Sequence, residues 1–545
     1  MSDYHEHSYI PKLKQQFVDG RCSRREFLRT ATLIGMSATA AYAFVGKVTG
    51  ESFVSPAKAS MPKGGTLRIG QRILDLSSPH AYSWFEETVT RQVCEYLTKT
   101  GHDNITRPYL AESWDVSNDL KTWTFHLRKD VKWHNGRAFT AADVDWNLRH
   151  ALDPETGSSM VGLMQAYMMN DDSTGLWDAK AIETPDDHTV RLNLRAAQVA
   201  VPEHLFHYPM LIIDPEEGGT FAAGSNGTGA FELLDYRVGE HAKLKARSDY
   251  WGEGPYVDEL LFIDLGDDPS ARVGAMASKQ IDGVYEIDSA QVETVATLKH
   301  LKIYDAATAQ TAVVRTRVDN EPFGDPRVRK ALRLAVDAQK VVDLALQGRG
   351  VAAEHHHVSP VHPEYAPLPE MTRDIAAAKA LLAEAGFPDG IDVEIAANAD
   401  EGWEVAAVQV LTEMWKEAGI RAKINVLPGS SFWDVWDKLP FSMTNWTHRP
   451  LGIMVLALAY RTGVPWNESG YSNPEFDALL AEAESTLDVE DRRAVMEKIE
   501  RLMQEDGPIV QPAWRSVFAA YDEKVQGFAM HPTSYIFANE LAIQS

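Results

Sequence analysis

The groups in this 545-residue chain that could bind a metal, attack a carbonyl or move a proton are histidines, one buried-looking cysteine and many carboxylates. His355-His356-His357, with His362 close behind, offers imidazole nitrogens of the kind a transition metal accepts. Successive side chains of an extended segment point in alternate directions, so three in a row cannot face one ion. The segment therefore reads as a solvated loop, and no metal site is expected. Cys94, among Val93 and Leu97, reads as packing and not as a nucleophile. No G-x-S-x-G elbow, G-x-x-x-x-G-K-[ST] phosphate loop or H-E-x-x-H zinc helix occurs. Of the 78 Asp and Glu residues, no pair stands out as an acid/base couple. The residues predict neither catalysis nor a cofactor.

The elements that would position these groups are legible in pattern. Thr66–Gly70 and Trp123–Leu127 alternate as strands do, and short strands recur at 189–194, 243–246 and 259–264. Thr140-Ala141-Ala142-Asp143 is a capping box that opens a helix through Trp146 and Leu148. Asn226-Gly227-Thr228-Gly229 is a turn near a domain crossing. The second half changes character. Asp325-Pro326 caps a helix whose stripe is Val328, Leu332, Ala335 and Val336. Helices at 374–385 and 405–418 stop at Gly386 and Gly419, the latter followed by a strand at 421–427. Asn473-Pro474 caps another, and a last one covers 489–505. Strands alternating with helices predict an α/β protein with a partly parallel sheet.

Composition narrows the class of partner. The chain is 44% apolar and 24% charged, with 53 Lys and Arg against 78 Asp and Glu, a net charge of −25. That field repels phosphate, so nucleic acid and anionic membrane are excluded as general partners. Two cysteines cannot form a disulfide framework in a chain of this size. The length suggests two to four domains.

The N-terminus reads as an address. Ser23-Arg24-Arg25-Glu26-Phe27-Leu28 is similar to the twin-arginine export signal, with Arg24 and Arg25 as its pair, and an apolar run over 31–45 follows. That run is short for a bilayer span. Ala57-Lys58-Ala59 places small residues where a signal peptidase accepts them, so cleavage is expected after Ala59. The mature protein should then be soluble and periplasmic.

Several blocks together resemble the bacterial extracellular solute-binding proteins of family 5, the receptors of dipeptide, oligopeptide and nickel ABC importers. They are Tyr109-Leu110-Ala111-Glu112-Ser113-Trp114, the stretch from Trp123 to Gly136, Phe139 to Val144, Asn226 to Phe231, Asp249-Tyr250-Trp251, Pro322 to Leu332, and Ala378 to Phe387. All stand in the family's order. The resemblance implies a periplasmic binding protein type II-like fold with two lobes around a hinged cleft. It also implies domain I at 60–95, 226–315 and 516–545, domain II at 96–225 and domain III at 316–515, after a signal peptide at 1–59. Trp114, Trp123 and Trp133 would then pack domains, and the expected partners are a small solute, an inner-membrane ABC permease and, during export, the twin-arginine translocase. A monomer is expected.

The resemblance also implies a pocket and a departure from the peptide pattern. Peptide-binding members carry a domain III tryptophan followed, three residues on, by an aspartate that holds the peptide's ammonium group. Here the stretch is Asn445-Trp446-Thr447-His448-Arg449-Pro450, so Trp446 matches and Arg449 replaces the acid. A guanidinium repels a cationic terminus and holds a carboxylate or phosphate instead. Trp433 aligns with a second pocket tryptophan, Tyr82, Ser83, Trp84 and Phe85 with the domain I wall, and Met160 with a ligand-facing tyrosine of domain II. The expected solute is a peptide or other small organic molecule, and Arg449 favours an anionic, opine-like or sugar-like one. A nickel-chelate receptor, served by His448 or the histidine triplet, and an exported cofactor-dependent enzyme are the alternatives.

Overall fold

The structure is a computed structural model and describes residues 7–50, 61–82, 85–266, 268–369, 371–400 and 402–544. The chain forms two compact units. One comprises Met1–Ile287, Thr294–Tyr304 and Ala519–Ser545; the other comprises Asp288–Glu293 and Asp305–Phe518.

In the first unit the strand Thr66–Gly70 pairs in parallel with Glu259–Ile263 on one side and Gly283–Val284 on the other. His241–Ala246 and Phe231–Arg237 extend this sheet antiparallel. A separate antiparallel sheet runs Ala111–Val116, Thr122–Leu127, Thr189–Asn193, Ile182–Asp186. Trp123, Phe125 and Leu127 all point to its buried face, as a two-residue period requires. Trp114, Trp123 and Trp133 are buried. The helix Ala141–Ala151 has the expected capping box, with Thr140 and Asp143 as the reciprocal pair. Asp143 also binds Arg137 at 2.7 Å. At the predicted turn, a Cβ on Gly227 would lie 2.0 Å from the Val93 carbonyl oxygen, so only glycine fits.

Residues 10–49 form three helices, Ile10–Val18, Arg24–Leu33 and Ala38–Thr49. Ser23 and Glu26 make a capping box at the start of the second, beside Arg24 and Arg25. The apolar run read as one signal core is broken at Gly35, where φ is +88° and a Cβ would meet the Trp114 carbonyl oxygen at 2.5 Å. Trp114 Nε1 donates to the Leu33 carbonyl at 2.8 Å. Among the described residues no helix is long and apolar enough to cross a membrane. The expected cleavage motif Ala57-Lys58-Ala59 lies outside the described residues.

The second unit is built on Ile391–Asn398, paired in parallel over its whole length with Ile420–Leu427. The helix Gly402–Glu417 makes the crossover that a parallel pair needs. Phe441–Trp446 follows on the other edge and pairs antiparallel with the end of the long strand Leu301–Thr316. One core unites these strands with the helices Pro326–Leu334 and Ile375–Glu384, and Trp415 sits inside it, donating to the Leu332 carbonyl at 3.0 Å. Asp325, Asp374, Asn473 and Asp488 each cap a helix through a side-chain oxygen. The α/β class, with a partly parallel sheet, is the one the alternating pattern predicts.

Candidate functional site

The strand Phe441–Trp446 decides where the residues around Trp446 point. Its register sets Ser442, Thr444 and Trp446 opposite Arg315, Val313 and Thr311 on one face. Three of those side chains converge on a single buried carboxylate, Glu468. Trp446 Nε1 donates to Glu468 Oε1 at 3.0 Å, Thr444 Oγ1 to Oε2 at 2.8 Å, and Arg315 Nε to Oε2 at 3.2 Å. Burial raises the Glu468 carboxyl above its usual range, opposed by Arg315 and the two neutral donors. Asn445 lies on the other face, where its amide donates to Glu404 Oε1 at 2.6 Å, on the crossover helix.

Past the strand the chain turns inward. His448 Nδ1 accepts from the Ala309 amide at 2.9 Å, and Thr447 supplies the carbonyl that Arg449 Nη1 donates to at 3.0 Å. Arg449 is 3% exposed, its guanidinium 5.6 Å from the Trp446 ring centre. His362 Nε2 donates to the Arg449 carbonyl at 3.0 Å.

Trp446 is also the inner end of a chain of aromatic rings. Trp433, 44% exposed at the end of the short helix Gly429–Trp433, meets Trp436 edge-to-face at 6.1 Å. Trp436 meets Trp466 at 6.1 Å, Trp466 meets Trp446 at 6.0 Å, and Trp446 meets His357 at 5.7 Å, all near-perpendicular. Flat apolar rings that run from solvent into the interior, ending beside a cation, make a wall suited to a small organic molecule with an anionic end.

The triplet His355-His356-His357 is not the solvated loop the sequence suggested; all three are buried. The fold supplies what the local pattern lacks. The Gln511 amide donates to His355 Nδ1 at 3.0 Å, and Gln511 Oε1 accepts from the His357 amide at 2.9 Å. His356 turns the other way, to Glu354 Oε2 at 3.2 Å. Burial lowers all three imidazoles, His355 to about 3 with Arg333 adding to the effect. Among the described residues no three His, Cys, Asp or Glu side chains gather as a metal cage. Cys94 is fully buried and burial raises its thiol, in keeping with packing.

The profile of the bacterial extracellular solute-binding proteins, family 5, matches residues 106–466. The chain belongs to that family. Family 5 proteins are solute receptors of ABC importers, and this chain is such a receptor. It is 24% identical to the dipeptide-binding protein DppE of Bacillus subtilis over 466 residues, 82% of this chain and 85% of that one. Among solved structures it resembles AgaA of A. tumefaciens R10 in complex with agropinic acid, with a TM-score of 0.78 and 23% identity over 88% of this chain and 99% of that one. NikZ of Campylobacter jejuni, in complex with Ni(L-His), gives a TM-score of 0.76 and 21% identity over 88% and 99%. These likenesses show the fold of a periplasmic binding protein.

In this family 5 receptor the second unit thus brings together Trp446, Thr447, His448, Arg449 and, through the ring chain, Trp433. The remaining candidates belong to the first unit. Tyr82 is buried and spends its hydroxyl on the Leu76 carbonyl at 2.5 Å and on Thr90 Oγ1 at 3.0 Å. The half-buried Phe85 packs on Tyr285 at 5.6 Å. Met160 has no exposed surface in the helix Ser159–Met168. Ser83 and Trp84 lie outside the described residues. Sequence reasoning missed Glu468, Trp466, Gln511 and the inward position of His357. Only the tryptophan had a readable signal, as one of 14 in the chain.

Proposed function

We propose that this receptor takes a carboxylate-bearing organic solute, opine-like in character, and not a simple peptide held by its ammonium group. The observation that carries the reading is Arg449, a buried guanidinium over the Trp446 ring, standing where the family resemblance places an aspartate in peptide binders. A desolvated guanidinium binds a carboxylate through two parallel hydrogen bonds and repels an ammonium ion. The complex of AgaA with agropinic acid, a relative in fold, supports the same class of solute. Trp433 and Trp446 would stack on the solute, with Thr447 and His448 framing it, while Asn445, on the other face of the strand, is committed to Glu404.

On this reading the protein is exported through Arg24 and Arg25, works as a monomer in the periplasm and releases its solute unchanged to a membrane permease. Calorimetric titration with agropinic acid and with the dipeptide Met-Leu tests it on the parent and on Arg449→Asp. The expected result is no dipeptide binding by the parent, with some gained by the variant. Micromolar dipeptide binding by the parent would sink the proposal. Because NikZ holds a nickel–histidine complex, a third arm adds nickel with free L-histidine and follows the melting temperature, which should not move.

A further inference from the structure

Close to Trp446 the second unit holds three buried polar atoms with no hydrogen-bond partner among the described residues: His357 Nε2, Trp514 Nε1 and Thr447 Oγ1. His357 is 1% exposed and Trp514 2%. A buried donor left unpaired costs about 1–3 kcal/mol, so three around one ring call for an explanation. They share one neighbourhood. The His357 ring lies 5.7 Å from Trp446 and 6.0 Å from Trp514, while Thr447 joins Trp446 to the segment carrying Arg449. The loop also holds His355 and His357 at φ of +62°, a conformation that side chains other than glycine adopt at a cost and that gathers at binding sites. Gln511 keeps it there through the two hydrogen bonds already described.

The tautomer of His357 follows from its partner. Among the described residues the Tyr460 hydroxyl bonds only His357 Nδ1, at 2.5 Å. A proton on Nδ1 would make the phenol the acceptor and strand the phenol's own hydrogen in a dry interior. The phenol therefore donates, Nδ1 accepts, and the imidazole proton sits on Nε2. Burial, with Arg449, His362 and His356 nearby, keeps this ring neutral. His357 Nε2–H, Trp514 Nε1–H and the Arg449 guanidinium are then all donors without acceptor capacity, and their complement is a group that only accepts.

We infer that His357 and Trp514, with Arg449, form an inner subsite that binds the carboxylate of the solute. This deepens the receptor reading above and rests on it. Gln511 and Tyr460 act as positioning residues: one fixes the loop, the other fixes which nitrogen donates.

Nuclear magnetic resonance on the full chain, labelled with ¹⁵N at tryptophan and histidine, tests this with acetate, inorganic phosphate and methylammonium as probes. Long-range correlation should place the His357 proton on Nε2. Acetate should shift the Trp514 indole N–H saturably and methylammonium should not. Trp514→Phe, which keeps an aromatic ring and loses the donor, should weaken acetate binding read at Trp446 about tenfold. A proton on Nδ1 overturns the inference. So does a silent Trp514 while Trp446 or Trp433 responds, an outcome that leaves the receptor reading intact. A response to phosphate but not acetate overturns the carboxylate assignment. If Trp433, Trp446 and Trp514 all ignore acetate, agropinic acid and Met-Leu, the site reading itself fails.

Discussion

Glu468 and Arg315 are buried together, and the balance of costs around them sets what either can tolerate. Each charge is desolvated, and their attraction, with hydrogen bonds from Trp446 and Thr444, offsets that penalty. Replacing one partner strands the other. Glu468→Leu should destabilise the protein by about 3 kcal/mol in urea unfolding, because Arg315 stays charged and the Trp446 indole loses its acceptor. A loss under 1 kcal/mol would show that the pair is solvated and that the face of the strand is wrongly read. The same residues mark how far the sequence could go. Trp446 and Arg449 were reached through a resemblance, which depends on neighbours in the chain. Glu468 lies 22 residues further on and Gln511 about 150 residues from the histidines it holds. No local pattern announces such partners, so the histidine triplet read as exposed when it is buried.

Elements with their own end signals were readable. The capping box at Thr140 and Asp143, the Asp325-Pro326 and Asn473-Pro474 starts, and Gly386 at a helix end act within a few residues of themselves. The helix Gly452–Ala459 was not readable, because every residue in it is buried and an apolar surface all round leaves no period to detect. The strand Phe441–Trp446 was missed for a related reason: five of its six residues are buried, so it does not alternate. Turns fall between these cases. Asn226-Gly227-Thr228-Gly229 was legible as a turn, yet the need for glycine comes from Val93, over a hundred residues earlier. Gly227→Ala should cost about 2–3 kcal/mol, since the new methyl meets backbone, which cannot move aside. Gly274→Ala is the control. It lies inside the helix Pro269–Ala277 with nothing within 4 Å of a Cβ, and should leave stability unchanged or raise it by about 0.5–1 kcal/mol. Equal effects at both sites, read as urea midpoints at constant slope, would refute the argument.

Across the whole molecule, buried titratable groups in both units set the pH at which the fold is most stable. His80 is lowered to about 4, His355 to about 3 and His531 to about 3, each chiefly by burial. Above pH 6.5 such a histidine is neutral folded or unfolded and contributes no slope. Below it the unfolded chain binds the proton first, so stability falls with pH until the folded values are reached. Glu87 and Glu500 act in the opposite sense. Burial raises them to about 7 and about 9, with Glu354, Glu364 and Glu497 adding repulsion at Glu500 and Arg91 opposing the shift at Glu87. Their stabilising effect is complete below pH 4.5 and is lost as pH rises through 7 and then 9. Between 4.5 and 6.5 these histidines, together with the lowered His356 and His357, act against Glu87, Glu500 and the raised Glu468, so the opposing effects largely cancel and the slope is shallow. Below 4.5 the raised carboxyls no longer oppose the histidines, each of which contributes about 1.4 kcal/mol per pH unit down to its folded value, and carboxylates held low by cations, such as Asp319 and Asp325 beside Arg317 and Arg327, add to the fall. Stability should therefore peak near pH 6.5, fall slowly towards pH 9 and steeply below 4.5, as measured by urea midpoints across that range. Glu500→Gln keeps the neutral shape and cannot ionise, so it should remove most of the decline from 7 to 9 while leaving the acid limb in place. An unchanged alkaline limb in that variant would show that Glu500 is ionised in the folded protein and that its pocket is wet.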